Sequence, residues 1–444
     1  MRYNLSIFFH LKLGGGLMRY EVLMNFLEKR GFNARTLDME AELERLVSFA
    51  KSGLKTPNTE PNKQDSLPMI SSYIHLQTAP IWEKPVVVMA CSGKTIQTRL
   101  VTFHKGLEPS ITERKTLSMP GSGYEVGKNE FYETLAKALL PYLETSRIVG
   151  LSFAYETAIL PSHDGIVRNL SKEILAPEVI GTSLVENIKD RLDAFGVKEP
   201  LHIVVLNNTV AALLAGSIDD AEKVYDGYAS FILDSGLNLA YVDPFDQMII
   251  NTEVGTYHPL FRTRIDREID EATAAPGNHV FEKVLTGHYQ GLQAQYVIRE
   301  AIQEGGIFSG FFEERFSLIT GLEDAEIHDF LQKPYGPGVL GQCCANDFDR
   351  EMLFYILDNV LERVARWVAV TIGACHKIMD KGQSRIRPLA IALEADTYYA
   401  RPINRLKLNY YIKEFLNEKQ GFYNELIEVS HANCIGTALA ALMN

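Results

Sequence analysis

The chain has 444 residues, of which 46% are apolar and 23% are charged. This length exceeds one ordinary hydrophobic core, so two domains or one large bilobal fold are expected. The 44 Lys and Arg residues are outnumbered by 56 Asp and Glu residues, which gives a net charge of -12. This balance argues against a nucleic-acid partner, because phosphate backbones are bound by clustered basic side chains.

The cysteines indicate reduced, buried thiols rather than a disulfide framework or a metal site. They are Cys91, Cys343, Cys344, Cys375 and Cys434.

The longest nearly uncharged stretch, residues 367–375, is too short for a bilayer span of about 20 residues. Residues 5–13 are weakly apolar but lack the small-residue cleavage site of a signal peptide. A cytoplasmic protein with no membrane partner is therefore expected. The triplet Met-Arg-Tyr occurs at Met1 and again at Met18, so Met18 remains an alternative native start.

The first predicted element is a helix over residues 38–54, because apolar side chains recur there at helical spacing. Asp38 is the expected N-cap and Gly53 the expected stop. Residues 55–66 are polar and contain two prolines, which is typical of a linker or loop. We therefore interpret residues 1–80 as a helical N-terminal extension and linker.

From residue 85 onward the pattern changes to alternating strands and helices. The predicted strands span residues 86–90, 96–103, 147–155 and 201–206, and the predicted helices span residues 128–143 and 183–195. The second of these helices opens with the capping-box pair Ser183 and Glu186. Residues 92 and 93 form a tight glycine turn between the first two strands.

A similar run then begins again in the second half of the chain. Strands are predicted at residues 229–233, 239–242, 248–251 and 389–393, and long helices at residues 279–303 and 351–381. The turn Asp234-Ser235-Gly236 joins the first two of these strands. Each half thus starts with strand, glycine turn and strand, which predicts two α/β domains facing each other across a ligand-binding cleft.

The segment from Val88 to Thr95 ends in Gly-Lys-Thr, as a P-loop does. A P-loop also needs a glycine five positions earlier, where this chain has Val88, and it opens a helix. Here the following residues alternate as a strand does. A glycine hairpin whose backbone amides approach a phosphate is therefore the better interpretation.

Six short segments carry a more specific pattern, in a fixed order along the chain. They are Leu67-Pro68-Met69 with Tyr73, Asp164-Gly165-Ile166 through Ser171-Lys172, Ile250-Asn251-Thr252-Glu253, Asp266-Arg267-Glu268, Pro276-Gly277 and Phe281-Glu282-Lys283. In this order, across residues 39 to 444, they resemble the hexokinase family of the actin-like ATPase superfold. The resemblance implies an α/β fold of two ribonuclease-H-like, actin-type domains around a central cleft.

The resemblance also implies a set of hexose-binding side chains. They are Ser171, Lys172, Asn207, Asn208, Asn238, Glu253 and Glu282, with Lys172 and Asn208 at the catalytic positions. A pyranose needs hydrogen-bond donors and acceptors in a dry cleft, and carboxylates accept strongly from its hydroxyls. Singly, the glutamates would be surface carboxylates and the asparagines turn residues. Their positions in these segments favour a glucose-like hexose as the ligand.

The implied phosphate side departs further from the family. The phosphate-binding positions are Ser92, Gly93, Lys94, Thr95, Ser235, Gly236 and Gly436. Ala90 stands where the family has an aspartate that helps to hold magnesium, and Asp234 replaces a glycine. A desolvated carboxylate facing a triphosphate would repel it. Other departures are Ala154-Tyr155-Glu156, Glu394-Ala395-Asp396 and Ile435-Gly436-Thr437-Ala438.

Asn208 is the departure with the clearest chemical meaning. In the family an aspartate at this position accepts the proton of the sugar 6-hydroxyl as that hydroxyl attacks the γ-phosphate. An asparagine can orient the hydroxyl but cannot take its proton. General-base assistance is worth about 10²–10⁴-fold, so we expect phosphorylation by Mg-ATP to be weak or lost.

The resulting hypothesis divides the chain into a small domain at residues 81–210 and a large domain at residues 211–444. Whether the last helix returns to the small domain stays open. The chain is expected to bind a hexose, to use Mg-ATP if it is active and otherwise no cofactor, and to bind no metal through its own side chains. Two alternatives remain: an active hexokinase in which Glu156 supplies the base and Lys94 compensates for the altered hairpin, or a non-catalytic sugar sensor or scaffold. The protein partner is unknown.

Overall fold

The computed structural model describes residues 16–55, 65–76, 82–112, 114–170, 174–218, 223–234, 236–395, 398 and 401–444. Three predicted site residues, Ser171, Lys172 and Ser235, lie outside these ranges. Most of the predicted linker at residues 55–66 lies outside them as well. None of the helices in the described ranges is both long and apolar enough to cross a bilayer.

The strands form two large sheets and one hairpin. They are β1 (Ile70–His75), β2 (Pro85–Ser92), β3 (Thr95–Thr102), β4 (Ser110–Ile111), β5 (Lys115–Ser118), β6 (Ile148–Phe153), β7 (Thr157–Ile159), β8 (Gly165–Val167), β9 (His202–Leu206), β10 (Gly227–Leu233), β11 (Leu237–Val242), β12 (Met248–Asn251), β13 (Leu389–Glu394) and β14 (Asn424–Ile427). The first-lobe sheet has the order β4-β3-β2-β6-β9, with β5 also paired to β3. The second-lobe sheet has the order β1-β12-β11-β10-β13-β14, and β7 pairs with β8.

The two sheets repeat one topology. In the first lobe, β2 is antiparallel to β3 and parallel to β6, and β6 is parallel to β9. In the second lobe, β10 is antiparallel to β11 and parallel to β13, and β13 is parallel to β14. The predicted duplication of strand, turn and strand is therefore confirmed, and so is the α/β class with two similar halves.

Some helices pack against these sheets, and others pack mainly against one another. The helices are α1 (Gly16–Lys29), α2 (Met39–Gly53), α3 (Lys128–Leu139), α4 (Leu184–Ala194), α5 (Asn208–Ile218), α6 (Arg264–Glu271), α7 (Val280–Leu285), α8 (Gly287–Glu304), α9 (Gly310–Ser317), α10 (Asp324–Gln332), α11 (Val339–Cys343), α12 (Asp347–Met379), α13 (Pro402–Tyr411) and α14 (Ala432–Met443), with a π-helix at Ile412–Gln420 after α13. Short 3₁₀ turns lie at Ala34–Thr36, Leu140–Tyr142, Pro177–Val179 and Val254–Thr256.

Helices α5 and α14 cross closely between the two lobes. A Cβ atom at Gly436 in α14 would lie 1.7 Å from the carbonyl oxygen of Ala211 in α5, so only glycine allows this approach. A Cβ atom at Gly150 in β6 would lie 2.5 Å from the carbonyl oxygen of Thr437. The last helix therefore packs directly on the first-lobe sheet.

Helix α2 lies where the helix over residues 38–54 was predicted, and it is part of the second-lobe core. Asp38 caps it by accepting a hydrogen bond of 3.0 Å from Ala41 N. Its apolar side chains lie in the main core of the second lobe, where they pack with α12 and one face of the sheet. Leu43 and Leu46 are each 1% exposed, because the core of the second lobe covers this face of the helix.

The helix predicted at residues 279–303 is two helices. Thr286 has an extended backbone with ψ 154°, which ends α7 and starts α8. Gln290 Nε2 donates to Leu285 O over 2.6 Å and Gln293 Nε2 donates to Val284 O over 2.9 Å. These buried side chains replace the helical partners that the last carbonyls of α7 lose at the break.

Candidate functional site

Asn207 and Asn208 lie where the buried strand β9 meets helix α5. Asn207 Oδ1 accepts a hydrogen bond of 2.9 Å from Thr209 N, so Asn207 caps the start of α5 as an asparagine commonly does. Asn208 is the first residue of the helix, and both asparagines are half-buried. The pair therefore lies at the carboxyl end of β9, the edge strand of the first-lobe sheet, and α/β sheets usually bind ligands at the carboxyl ends of their strands.

A chain of side-chain hydrogen bonds connects Asn207 to the second lobe. Asn238 Nδ2 lies 3.4 Å from Asn207 Oδ1 and donates to Asn251 Oδ1 over 2.9 Å. Asn251 Nδ2 in turn donates to Glu253 Oε1 over 2.8 Å. Three of the predicted sugar contacts thus lie in one chain of hydrogen bonds: Asn207 contacts Asn238 directly, and Asn251, which is outside the predicted set, joins Asn238 to Glu253.

Glu253 and Glu282 enter the site from two neighbouring segments, a turn and a helix. Glu253 has a left-handed backbone with φ 51° and precedes the 3₁₀ turn Val254–Thr256. Glu282 lies in α7 and accepts a hydrogen bond of 3.1 Å from Leu237 N. A Cβ atom at Gly255 would lie 3.5 Å from Glu282 Oε2 and 2.8 Å from Leu237 O, so the glycine lets these segments approach each other.

The carboxyl group of Glu253 has an unusual electrostatic environment. Burial raises its pKa above the ordinary value, and the neighbouring Glu156 raises it further, with a smaller contribution from Glu282. His279 and the hydrogen bond from Asn251 act in the opposite direction. Glu156 comes from the first lobe and the others from the second, so charged groups of both lobes face each other here.

The loop before α7 is held by a buried ion pair. Lys283 Nζ donates to Asp270 Oδ1 over 2.6 Å, to Thr273 Oγ1 over 2.8 Å and to Ala275 O over 2.7 Å. Burial alone would raise the pKa of Asp270, but the hydrogen bonds that it accepts, chiefly from Lys283, lower it below the ordinary value. The Pro-Gly segment and Glu282 are thereby held on a fixed backbone.

The predicted phosphate hairpin is a β-hairpin, as its alternating residues indicated. Ser92 pairs with Thr95 across the turn, and Gly93 has a φ of 57°. Tyr155 donates its hydroxyl hydrogen to Gly93 O over 2.5 Å. Lys94 is exposed at the tip. The hairpin is thus joined to the segment that leads into β7 and that contains Glu156.

The second predicted phosphate turn connects β10 to β11. Asp234 N donates to Gly236 O over 3.0 Å, and the Asp234 side chain is exposed. Gly436 is buried in the crossing of α5 and α14 rather than in a loop. Helix packing is a sufficient reason for a glycine there, and its contact with a phosphate stays a prediction.

The metal-ligating side chain expected in the first hairpin is absent, because Ala90 occupies its position. Ala90 lies in β2 and offers no side-chain oxygen to magnesium. Within the described ranges, no three His, Cys, Asp and Glu side chains are grouped closely enough to hold a metal ion. That the backbone of the two predicted glycine turns binds a nucleotide stays a prediction.

A small cavity beside the site is shared between the lobes. Tyr155 and Thr157 line it from the first lobe, together with Asn207, while Ile70 and Asn251 line it from the second-lobe sheet. Glu156 lies between two of these lining residues in sequence. The amide chain and the cavity thus lie at the same junction between the two sheets.

Asn251, His279 and Tyr155 are the site residues that the sequence prediction missed. Asn251 precedes Glu253 by two positions in one of the quoted segments, and His279 lies between Gly277 and Glu282. Their proximity to two predicted glutamates is the signal that would have found them. Tyr155 stands in the quoted segment Ala154-Tyr155-Glu156, but its role was not predicted, because its hydroxyl acts on a turn that lies 62 residues earlier.

Comparison with known proteins gives matches over nearly the whole chain. Two family models, each described as Hexokinase, match residues 27–218 and residues 228–443. The hexokinase of Schistosoma mansoni is 23% identical over 330 residues, which cover 68% of this chain and 70% of that protein. Hexokinase-1 of Rattus norvegicus is 22% identical over 399 residues, which cover 83% of this chain and 43% of that protein.

Solved structures show the same architecture. A hexokinase from Schistosoma mansoni complexed with glucose matches with a TM-score of 0.75 at 18% identity, over 95% of this chain and 99% of that one. A second hexokinase structure matches with a TM-score of 0.72 at 15% identity and the same coverage. Both likenesses extend across the two lobes and the cleft between them.

Proposed function

Because this chain belongs to the hexokinase family and has its actin-like sugar-kinase fold, we propose that it binds a glucose-like hexose between its lobes and phosphorylates it weakly or not at all. The convergence of Asn207, Asn238 and Glu253 carries this proposal. These side chains supply the donors and acceptors that pyranose hydroxyls need, and Glu282 adds a second carboxylate.

The proposed weakness of phosphoryl transfer follows from Asn208. Its amide can donate to or accept from the sugar 6-hydroxyl, which orients the hydroxyl but leaves its proton in place. Positioning and electrostatic stabilisation carry much of phosphoryl transfer, so a residual rate is expected. Mg-ATP would supply the phosphoryl group and its counter-charge, and Ala90 adds no ligand for the metal.

The test is a coupled phosphorylation assay of the wild-type chain and Asn208→Asp, with Asn208→Ala as the matched control. If the rest of the site is competent, the aspartate raises turnover by about 10²–10⁴-fold, whereas the alanine does not. An unchanged rate in Asn208→Asp would place the defect on the phosphate side, at Ala90 and Asp234. Fast turnover by the wild-type chain would refute the proposal of weak transfer.

Calorimetry with glucose and, separately, with Mg-ATP distinguishes the remaining possibilities. Glucose binding without nucleotide binding supports a sugar sensor or scaffold. If neither ligand binds, the assignment of the sugar contacts is wrong.

A second candidate, an active kinase with a different base, is favoured by the position of Glu156. This carboxylate lies close enough to Glu253 to raise its pKa, and it is half-buried. If Glu156 is the base, Glu156→Gln abolishes the turnover of the wild-type chain, while Asn208→Asp restores it in the double variant. Turnover that survives Glu156→Gln would exclude this candidate.

A further inference from the structure

Asn251 is buried at the end of β12, with 4% of its surface exposed. Its backbone is fixed by two neighbouring strands, because it pairs with Ala240 in β11 and with Ile70 in β1. Its side chain accepts from Asn238 and donates to Glu253. The amide therefore uses its oxygen and its nitrogen on two different predicted sugar contacts.

We propose that Asn251 is the positioning residue of the sugar site, which orients Asn238 and Glu253 together. Asn238 in turn lies against Asn207 of the first lobe. This inference rests on the proposed hexose-binding function. Asn251 acts through its two partners and is not itself assigned a contact with the sugar.

The chemistry of the amide explains why this position requires asparagine. Only a group with both a donor and an acceptor can satisfy Asn238 Nδ2 and Glu253 Oε1 at once. An aspartate has the same size but offers no donor when ionised, and it would face Glu253 as a like charge. A leucine fills similar space and leaves both partners without their bonds, which is costly for buried polar groups.

The charges around Glu253 make this donor important. Glu156 and Glu282 disfavour its ionised form, and His279 favours it. The hydrogen bond from Asn251 also favours the carboxylate, which is the form that accepts from sugar hydroxyls. Removing the donor therefore shifts the pH range in which Glu253 can bind a sugar to higher values.

Glucose titration calorimetry across pH 5 to 9 tests the inference with Asn251→Asp and Asn251→Leu. Both variants should raise the glucose Kd near neutral pH by about 10–100-fold, as expected for a lost bond to a charged group. The pH midpoint of binding should move upward in both, and further in Asn251→Asp. Wild-type affinity and an unchanged pH profile in folded variants would refute the proposal.

A matched control separates positioning from general packing. Asn359 is also buried, accepts from Ala34 N over 2.9 Å and donates to Phe32 O over 2.6 Å. Asn359→Leu should lower the free energy of unfolding and leave the pH midpoint of glucose binding unchanged. A loss of glucose affinity in Asn251→Leu that is equal at every pH would indicate a purely structural role and would also overturn the inference.

A second measurement needs no sugar, so it distinguishes failure of this inference from failure of the proposed function. The free energy of unfolding in urea is measured as a function of pH for four proteins. They are the wild-type chain, Asn251→Leu, Glu253→Gln and the double variant. The free energy of unfolding that Glu253 contributes is lost as pH rises through the folded pKa of Glu253. Asn251→Leu removes a hydrogen bond that lowers this pKa, so the loss should extend to higher pH. If this shift is found but the wild-type chain binds no hexose, the positioning role stands and the hexose assignment fails. If Asn251→Leu does not fold, Asn251→Asp, which keeps the size of the side chain, serves in its place.

Discussion

Glu42 accepts a hydrogen bond of 2.6 Å from the hydroxyl of Tyr257, which lies 215 residues later in the chain. The other oxygen of the same carboxylate accepts from Phe261 N over 2.7 Å. Glu42 lies in α2 with 2% of its surface exposed, and Tyr257 closes the 3₁₀ turn that begins after Glu253. Helix α2 thus holds the turn that follows Glu253, one of the predicted sugar contacts.

Replacing Glu42 should therefore affect both stability and sugar binding. Glu42→Gln keeps the shape but turns one acceptor into a donor, which leaves Tyr257 or Phe261 N without its charged partner. We expect a loss of about 1.5–3 kcal/mol in the free energy of unfolding and weaker glucose binding. Urea denaturation and calorimetry measure the two effects. Glu44→Gln is the control, because this exposed carboxylate pairs only at the surface with Lys377.

Glu253 should make the stability of the ligand-free protein depend on pH. Its pKa is raised in the folded state, mainly by burial, so the folded protein holds a proton that the unfolded chain has released. The stabilisation from Glu253 is complete below the unfolded pKa and is lost as pH rises through the higher folded value. Glu253→Gln should therefore unfold at higher urea concentration than wild type at pH 8 and lose this advantage near pH 4. An identical pH dependence in the two proteins would contradict this.

Tyr155→Phe should loosen the predicted phosphate hairpin without unfolding the lobe. The substitution removes only the hydroxyl that donates to Gly93 O, and the ring keeps its place in the core beside Phe153. Amide hydrogen exchange at residues 92–95 should become faster, and the free energy of unfolding should fall by about 0.5–1.5 kcal/mol. Tyr124→Phe, whose hydroxyl bonds Glu130 at the surface, should leave the hairpin protected. Unchanged exchange in Tyr155→Phe would show that the bond does not restrain the turn.

Gly436→Ala tests whether helix packing accounts for this glycine. The new Cβ atom would lie 1.7 Å from the carbonyl oxygen of Ala211, so α5 and α14 must move apart, at a cost of about 1–3 kcal/mol or more. Thermal unfolding measures the loss. Gly123→Ala is the control, since no atom lies within 4 Å of its added Cβ. Full stability combined with weaker nucleotide binding would instead favour the predicted phosphate role.

The duplicated sheets were predictable because their strands are short apolar runs joined by glycine turns. Residues 86–90 and 229–233 show the pattern without any tertiary information, and the structure extends each by only a few residues. The capped starts of α2 and α4, at Asp38 and Ser183, were equally local signals.

The features that the sequence did not reveal depend on contacts between different elements and on backbone turns that have no residue pattern. The apolar face of α2 indicated a helix, but its partner in α12 lies hundreds of residues away. The break at Thr286 depends on Gln290 and Gln293 satisfying carbonyls from the following helix. Glu253 and His279 have positive φ values of 51° and 48°, and no residue pattern predicts them. These backbone turns direct both side chains into the site.

The position of α2 also orders the events of biosynthesis. Arg366 in α12 bonds the carbonyl of Leu37, just before α2, across a separation of 329 residues. At translation rates of about 5–20 residues per second, the ribosome synthesises α12 tens of seconds after α2. All the strands of the first-lobe sheet have been synthesised once Leu206 has been added to the chain. During that interval the apolar face of α2 lacks its partner α12 on the nascent chain, and the second lobe closes its core only when translation is nearly finished.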